Sequence, residues 1–170
     1  MMEAMRILKA AYPKPKRTIL VGHWNGEEQG LDGSTAFVKA HPEILSGLHV
    51  LFNQDEGTGR ITDISGQGFA SAEKYFTRWL GQLPTELTHD IQRHFPGTPD
   101  GGNSDHAPFV AAGAPGFDLG SLPWNYDAYT WHTNRDTFDK ISFDDLKANA
   151  TLIAMLAYLA SEDSTRMPRH

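Results

Sequence analysis

The 170-residue sequence contains no cysteine, which excludes disulfide bonds and thiolate metal sites. It has no apolar run that approaches the roughly 18 residues of a membrane helix. Its net charge is −6 and it carries no long basic block. A membrane span and a nucleic-acid partner are therefore not expected. Any zinc ligands in this chain must be histidine, aspartate or glutamate side chains.

The first residues also lack the features of a signal peptide. Residues 1–12 have the pattern of an amphipathic helix rather than a charged start followed by an apolar core. The cellular compartment stays open, because absence of cysteine fits both redox environments. The remaining composition, 39 % hydrophobic and 21 % charged residues, is ordinary for a globular protein with a core.

Helical and strand-like patterns alternate along the chain. Helices are predicted over residues 1–12, 33–40, 72–83, 104–113 and 142–161. Strands are predicted over residues 18–21, 48–53, 61–64, 88–95 and 115–119. This alternation predicts an α/β fold of three layers, with a central mixed or mostly parallel sheet and helices on both faces. We expect one domain over residues 1–162 and a loose tail over residues 163–170.

Two adjacent glutamates, Glu27 and Glu28, follow the first predicted strand where a helical pattern begins. Ligands of open α/β sheets bind outside the carboxyl ends of the strands. Because neighbouring side chains leave the backbone in different directions, one glutamate could hold a metal while the other faces a water molecule beside it. The alternative interpretation is that both acids only stabilise a helix N-terminus.

Two more candidates are distant in sequence but occupy comparable positions. Asp55 follows the second predicted strand, and His132 lies in a long aromatic loop. Zinc binds carboxylates and imidazoles, and it lowers the pKa of a bound water towards about 7. The set therefore offers Glu28, Asp55 and His132 as ligands and Glu27 as the base. Asp55 as a turn residue and His132 as an exposed loop histidine are the alternatives.

Four further residues are candidates for contacts to a substrate or to the metal ligands. Asp105 and His106 begin a predicted helix, where a helix-start acid and a surface histidine are favoured over metal ligands. Tyr129 and Trp131 belong to the aromatic loop, and their rings, with those of Trp124 and Tyr126, could wall a substrate pocket or cover a small core.

Four motifs, in one order, resemble those of the two-zinc exopeptidases, which include bacterial leucyl aminopeptidases and plasma glutamate carboxypeptidase. The first covers residues 24–34 around the glutamate pair, and the second covers residues 53–59 around Asp55. The third combines residues 104–109 and 112–116, and the fourth, over residues 132–141, begins at the histidine. The resemblance extends from about residue 18 to the end of the last predicted helix.

The resemblance implies a zinc-dependent exopeptidase that hydrolyses terminal peptide bonds, with a peptide as its substrate. It implies that Glu27 is the general base that activates the water. Glu28 and His132 match ligands of one zinc, and Asp55 matches a ligand of the other. The family also suggests a periplasmic or secreted location.

One departure from the family pattern is large. The His-x-Asp motif and the aspartate that bridges the two metals in this family do not occur in the sequence. We therefore expect the C-terminal piece of a larger enzyme, inactive by itself because its ligand set is incomplete. We also expect a homo-oligomer that covers the edge of a sheet lacking its first strands.

Two other functions stay open at this point. A non-catalytic metal-binding or protein-interaction domain derived from a peptidase is one, and it would not depend on Glu27. The other is acyl transfer of the glutaminyl-cyclase type, which uses a similar fold. The motifs resemble the peptidases more closely.

Overall fold

The computed structural model describes residues 1–99 and 104–169, and within them eight α-helices surround four strands. The helices are α1 (Met2–Ala11), α2 (Asp32–Ala40), α3 (Pro42–Gly47), α4 (Glu73–Leu80), α5 (Thr85–Thr88), α6 (Ala107–Ala111), α7 (Tyr126–Tyr129) and α8 (Phe143–Glu162). The strands are β1 (Leu51–Asn53), β2 (Ile61–Ser65), β3 (Gln92–His94) and β4 (Gly116–Ser121). Short 3-10 turns occupy Ala70–Ala72 and Phe138–Lys140.

The four strands form one mixed sheet in the order β1-β4-β2-β3. β1 pairs with β4 in parallel, and β2 pairs with β3 in parallel, whereas β2 and β4 are antiparallel. Leu51 and Phe52 of β1 belong to different apolar clusters. Because neighbouring strand residues point to opposite faces, helices pack on both sides of the sheet. The predicted α/β fold with a mixed central sheet is thus confirmed.

The larger apolar cluster lies between the sheet and helices α1, α4 and α8. Its centre is aromatic: the Phe76 ring lies 5.0 Å from that of Phe117 and 5.6 Å from that of Trp79, measured between centroids. All three side chains are buried. Burying one such ring contributes roughly 1.5–3 kcal/mol, so this cluster dominates the stability of the fold.

Helix α8 is fixed to the start of β2 by buried polar side chains as well as by apolar packing. Asn149 donates through Nδ2 to the carbonyl of Gly59 at 2.8 Å and accepts from the Ile61 N–H at Oδ1, also at 2.8 Å. One turn earlier, Asp145 accepts from Arg60 at 3.1 Å and from Trp124 at 3.0 Å. These contacts hold the aromatic loop and β2 to the same helix.

The prediction of a strand over residues 18–21 is wrong, since this segment pairs with none of the four strands within the described residues. Its apolar side chains divide between two environments: Ile19 packs against the main core, whereas Leu20 is 64 % exposed. The run has the composition of a strand, but a strand forms only where a neighbour supplies hydrogen bonds.

The prediction of a loose tail is also wrong for residues 163–169, whereas residue 170 lies outside the described residues. Residues 163–169, here called the C-terminal strap, pack against the domain, and Met167 is only 2 % exposed. Asp163 accepts hydrogen bonds from Arg78 and, at 3.0 Å, from the Trp79 indole. The strap is polar in composition, and nothing in its local sequence reveals that its charged groups meet partners distant along the chain.

Candidate active site

The glutamate pair lies on a tight loop that folds back onto the start of α2. The Gly33 N–H donates to the carbonyl of Asn25 at 2.9 Å, and the Leu31 N–H donates to that of Glu27 at 2.9 Å. Gly33 must be glycine here, because a Cβ atom at this position would lie 2.5 Å from the Asn25 carbonyl oxygen. The loop therefore presents Glu27 and Glu28 ahead of the helix.

Two predicted metal ligands, Glu28 and His132, are in direct contact although 104 residues separate them. His132 Nε2 lies 2.7 Å from Glu28 Oε1, and the two side chains are 51 % and 60 % exposed. The histidine has a left-handed backbone with φ of 56°, and its ring stacks on Trp131 with centroids 4.2 Å apart. Both donors thus face the same open space, as a shared cation requires.

Asp55 belongs to a separate hydrogen-bonded network behind the glutamate loop. It accepts from Ser104 Oγ at 2.8 Å, and Ser104 in turn accepts from Asn53 Nδ2 at 2.9 Å. The same amide nitrogen lies 3.2 Å from Asp118 Oδ1. Sequence reasoning did not assign roles to Asn53, Ser104 or Asp118, although the first two fall inside the motif stretches around Asp55 and Asp105.

Glu27 lies in the field of the surrounding acids. Partial burial raises the pKa of its carboxyl, and the negative charges of Asp55, Glu28 and Asp105 raise it further, while His132 opposes them. A carboxylate whose pKa moves towards neutral becomes a stronger base while staying ionised. The environment of Glu27 is therefore of the kind in which a general base is found.

The four remaining candidates differ in how exposed their side chains are. Burial raises the pKa of Asp105, against a hydrogen bond with Ser34 that lowers it. His106 is fully buried, with Nδ1 4.0 Å from Asp118 Oδ1, so the prediction of a surface histidine is wrong and a substrate contact does not fit. Tyr129 and Trp131 are exposed. They do not cover a core, and their role at a substrate stays a prediction.

Tyr126, another ring of the aromatic loop, lies at the start of α7. A Cβ atom at Gly57 would lie 3.3 Å from Tyr126 Cγ, so the ring packs across the turn that follows Asp55. Burial raises the pKa of its phenol, as do the charges of Asp136, Asp55 and Glu28 in that order. The only signal available in the sequence was its place in the aromatic loop.

The donors present do not complete a catalytic metal site. In residues 1–99 and 104–169, no group of three or more histidine, aspartate or glutamate side chains could hold a metal ion. Glu28 and His132 offer two donors to one cation, and Asp55 is bound within its own network. Because a catalytic zinc takes three protein ligands, the described residues fit part of a zinc site and not a whole one.

The fold and the site place acids and a histidine beside a mixed α/β sheet, where enzymes of this architecture bind their ligands. The family model described as Peptidase family M28 matches residues 1–157, and the chain belongs to this family. It is 32 % identical over 174 residues to a probable glutamate carboxypeptidase, LAMP1, of Arabidopsis thaliana, covering 88 % of this chain and 24 % of that protein.

Other relatives cover more of this chain. Carboxypeptidase Q of Rattus norvegicus is 24 % identical over 168 residues, which are 98 % of this chain and 34 % of the relative. The human protein of the same name is 25 % identical over 168 residues. The chain therefore spans about a quarter to a third of the length of the curated relatives it matches.

Solved structures show the same fold. The Peptidase M28 precursor of Shewanella amazonensis SB2B superposes with a TM-score of 0.81 at 24 % identity, covering 98 % of this chain and 36 % of that one. An aminopeptidase from Aneurinibacillus sp. strain AM-1 gives a TM-score of 0.51 at 23 % identity, over 86 % of this chain and 34 % of that one. No helix in the described part of this chain has the length and apolar character to cross a membrane.

Proposed function

We propose that this chain carries part of the active site of a zinc-dependent exopeptidase that hydrolyses terminal peptide bonds. The observation that supports this most strongly is the contact between Glu28 and His132 beside Glu27. Membership of a peptidase family and the names of the relatives support the same reaction class. The substrate is a peptide, bound where Glu27 and the exposed Tyr129 and Trp131 face solvent.

In the proposed reaction, the Glu27 carboxylate accepts a proton from the attacking water. The water oxygen adds to the carbonyl carbon, the carbon–nitrogen bond breaks, and Glu27 returns the proton to the leaving amine. Zinc, when bound, supplies the Lewis acid that lowers the pKa of water at the site. Glu28 and His132 would hold one such ion, and Asp55, oriented by Ser104, would contribute to a second.

One or two protein donors per metal are too few for catalysis, so the remaining ligands must come from outside the described residues 1–99 and 104–169. We therefore expect the chain alone to hydrolyse no peptide above background. A longer form of the protein or a partner chain would complete the site. Chelator-sensitive hydrolysis by the isolated chain, lost in Glu27→Gln, would overturn the incomplete site and keep the peptidase assignment.

A chimera tests the reaction itself. This chain replaces the matching part of the Shewanella amazonensis peptidase, with which it shares the fold over 98 % of its length. We expect chelator-sensitive release of terminal residues from a dipeptide panel, and at least a 100-fold loss in Glu27→Gln, the size of effect that a positioned base supplies. Glu86→Gln, in the short helix α5, is the matched control and should leave hydrolysis unchanged.

A second candidate is a metal-binding domain without catalysis. It is favoured by the contact between Glu28 and His132, because two donors suit metal binding better than turnover. In that case zinc binding persists in Glu27→Gln, and a folded chimera stays inactive with either residue at position 27.

We also propose that a second copy of the chain covers residues 18–21 in solution. The segment is mostly apolar, Leu20 is exposed, and within the described residues no strand pairs with it. Such an unpaired apolar run favours association. Light scattering at tens of micromolar should give at least twice the mass of one chain, and Leu20→Lys should reduce it. A monomer would contradict the proposal.

A further inference from the structure

A buried histidine outside the candidate site fastens the C-terminal strap. His49 precedes β1, is only 7 % exposed and lies beneath Met167. The Met167 N–H donates to His49 Nδ1 at 3.0 Å. Because Nδ1 accepts this hydrogen bond, the neutral ring must carry its proton on Nε2. His49 therefore acts as an acceptor for the strap only while it is uncharged.

The surroundings of His49 oppose a second proton. Its ring meets the edges of Tyr75 and Trp79 of α4, at centroid distances of 6.5 and 6.1 Å. Its Nε2 is buried and has no hydrogen-bond partner within the part of the chain that the structure describes. An imidazolium would thus have an unsatisfied donor in an apolar environment, which is costly.

Three charged groups act on the ring, one from the segment after α1 and two from the strap. Burial lowers the pKa of His49 to about 4, Arg17 after α1 and Arg166 of the strap lower it as well, and Asp163 partly opposes them. Asp163 is itself bound to Arg78 and to the Trp79 indole, and its main-chain carbonyl accepts from Arg17 at 2.8 Å. Arg17 is held by the carbonyl of Asp163, and Arg166 is held by that of Ser46. Both positive charges therefore stay near the ring when it becomes charged.

We propose that His49 is an acid-sensitive lock for the C-terminal strap. Protonation at Nδ1 turns the acceptor into a donor that opposes the Met167 N–H, and it sets a third positive charge beside Arg17 and Arg166. The strap then releases from Met167 onwards while α4 and α8 keep their packing. This device is separate from the proposed peptidase site and does not depend on it.

The strap is also hydrogen-bonded next to α6, the helix that follows Asp105. Arg169 donates to the carbonyl of Gly113 at 3.0 Å, just after α6, and to that of Leu45 in α3. Arg166 likewise donates to the carbonyl of Ser46. The strap therefore ties α3 to the end of α6, and acid release of Arg169 would loosen α6, the helix that follows Asp105.

Methionine methyl groups report on this directly, because the chain has only five methionines. With ¹³C-methyl-labelled methionine, the Met167 signal is assigned with Met167→Leu and the Met155 signal with Met155→Leu. Between pH 7.5 and 3 we expect the Met167 methyl to move towards the position of a solvent-exposed methionine. Its midpoint should equal that of the His49 ring proton, while Met155 in α8 keeps its position.

His49→Asn is the decisive variant, since its side-chain carbonyl can accept from Met167 N–H and does not titrate in this range. We expect the Met167 transition to disappear in it and to persist in the matched control His89→Asn, at an exposed site. The strap could already be free in His49→Asn at pH 7.5. In that case the test is whether the Met167 methyl shift and the His49 ring titration have the same midpoint in the unmodified chain. Separate midpoints, a stationary Met167 signal, or joint movement with Met155 would overturn the proposal.

Discussion

Asn149 and the pair of Glu28 with His132 show two opposite ways to use polar side chains in one domain. Asn149 is 2 % exposed and satisfies both its amide groups with backbone partners at 2.8 Å. Glu28 and His132 make one contact at 2.7 Å and are more than half exposed. Polar groups that hold the fold are buried and have all their hydrogen bonds made. Polar groups of the candidate site are exposed and can still bind a ligand.

Among these polar residues, substitution of Asn149 should give the largest loss of stability. Asn149→Ala leaves the Gly59 carbonyl and the Ile61 N–H unpaired in a buried region, and each such group costs about 1–3 kcal/mol. We expect urea unfolding to show a loss of about 3 kcal/mol in the free energy of unfolding. Asn134→Ala, at an exposed position, is the matched control. A loss below about 1 kcal/mol would contradict the view that Asn149 holds the fold while Glu28 and His132 do not.

Asp163 should give the next largest effect, because its carboxylate collects donors from α4 and the strap. Burial opposes its ionisation, but the hydrogen bonds from Arg78, Thr165 and Trp79 outweigh burial and hold its pKa well below the ordinary value. Since the folded pKa is depressed, the stabilisation is present above about pH 4 and is lost as the pH falls further. Asp163→Asn should cost about 2 kcal/mol at pH 7.

The difference between Asp163→Asn and the unmodified chain should then shrink as the pH falls below about 4, which urea unfolding at several pH values measures. Because the charge of Asp163 influences the pKa of His49, both proteins are compared in the His49→Asn background, where position 49 does not titrate. A gap that is constant down to pH 2 would show that the carboxylate charge is not what holds the strap.

Ser104 tests the hydrogen-bonded network that includes Asp55. This network is part-buried, between the buried Asn149 and the exposed pair of Glu28 and His132. Ser104→Ala removes a hydroxyl that donates to Asp55 and accepts from Asn53. We expect a loss of about 1 kcal/mol in thermal or urea unfolding, the ordinary worth of such a bond. Ser104→Thr keeps the hydroxyl and should recover most of the loss. Equal effects of the two substitutions would mean that packing, and not the hydrogen bond, is responsible.

His132 should give the smallest change in stability. Its ion pair with Glu28 is exposed, and such pairs contribute about 0–1 kcal/mol. We expect His132→Asn to change the free energy of unfolding by less than about 0.5 kcal/mol while it weakens zinc binding at least tenfold. Loss of stability comparable to that of Asn149→Ala would place His132 among the residues that hold the fold.

Local patterns predicted those parts of the fold that depend on neighbours in sequence. The apolar stripe of residues 142–161 predicted α8, and the helical pattern after the glutamate pair predicted α2. Residues 18–21 have strand composition, but pairing depends on a neighbour that local sequence does not show. The C-terminal strap escaped prediction for the same reason, because Met167 meets His49 across 118 residues.

The candidate site was predictable to a similar extent. The family resemblance selected Glu28 and His132, and the structure brings them into contact, although the strand predicted before Glu28 does not form. Their roles, and those of Glu27 and Asp55, stay predictions. Ser104 was not assigned to the site, and Tyr126 was expected only as one of the rings that could wall a pocket. The hydroxyl bond to Asp55 and the packing of the ring over Gly57 depend on side-chain positions. Residue types and spacing do not specify such positions.

The central claim is that this chain holds one part of a zinc site, centred on Glu28 and His132. The most direct test is the zinc content of the purified 170-residue chain, measured by elemental analysis after incubation with excess zinc and desalting. We predict at most one weakly bound zinc per chain, lost in His132→Asn and retained in His89→Asn. Two tightly bound zinc ions per monomeric chain, unaffected by His132→Asn, would contradict it.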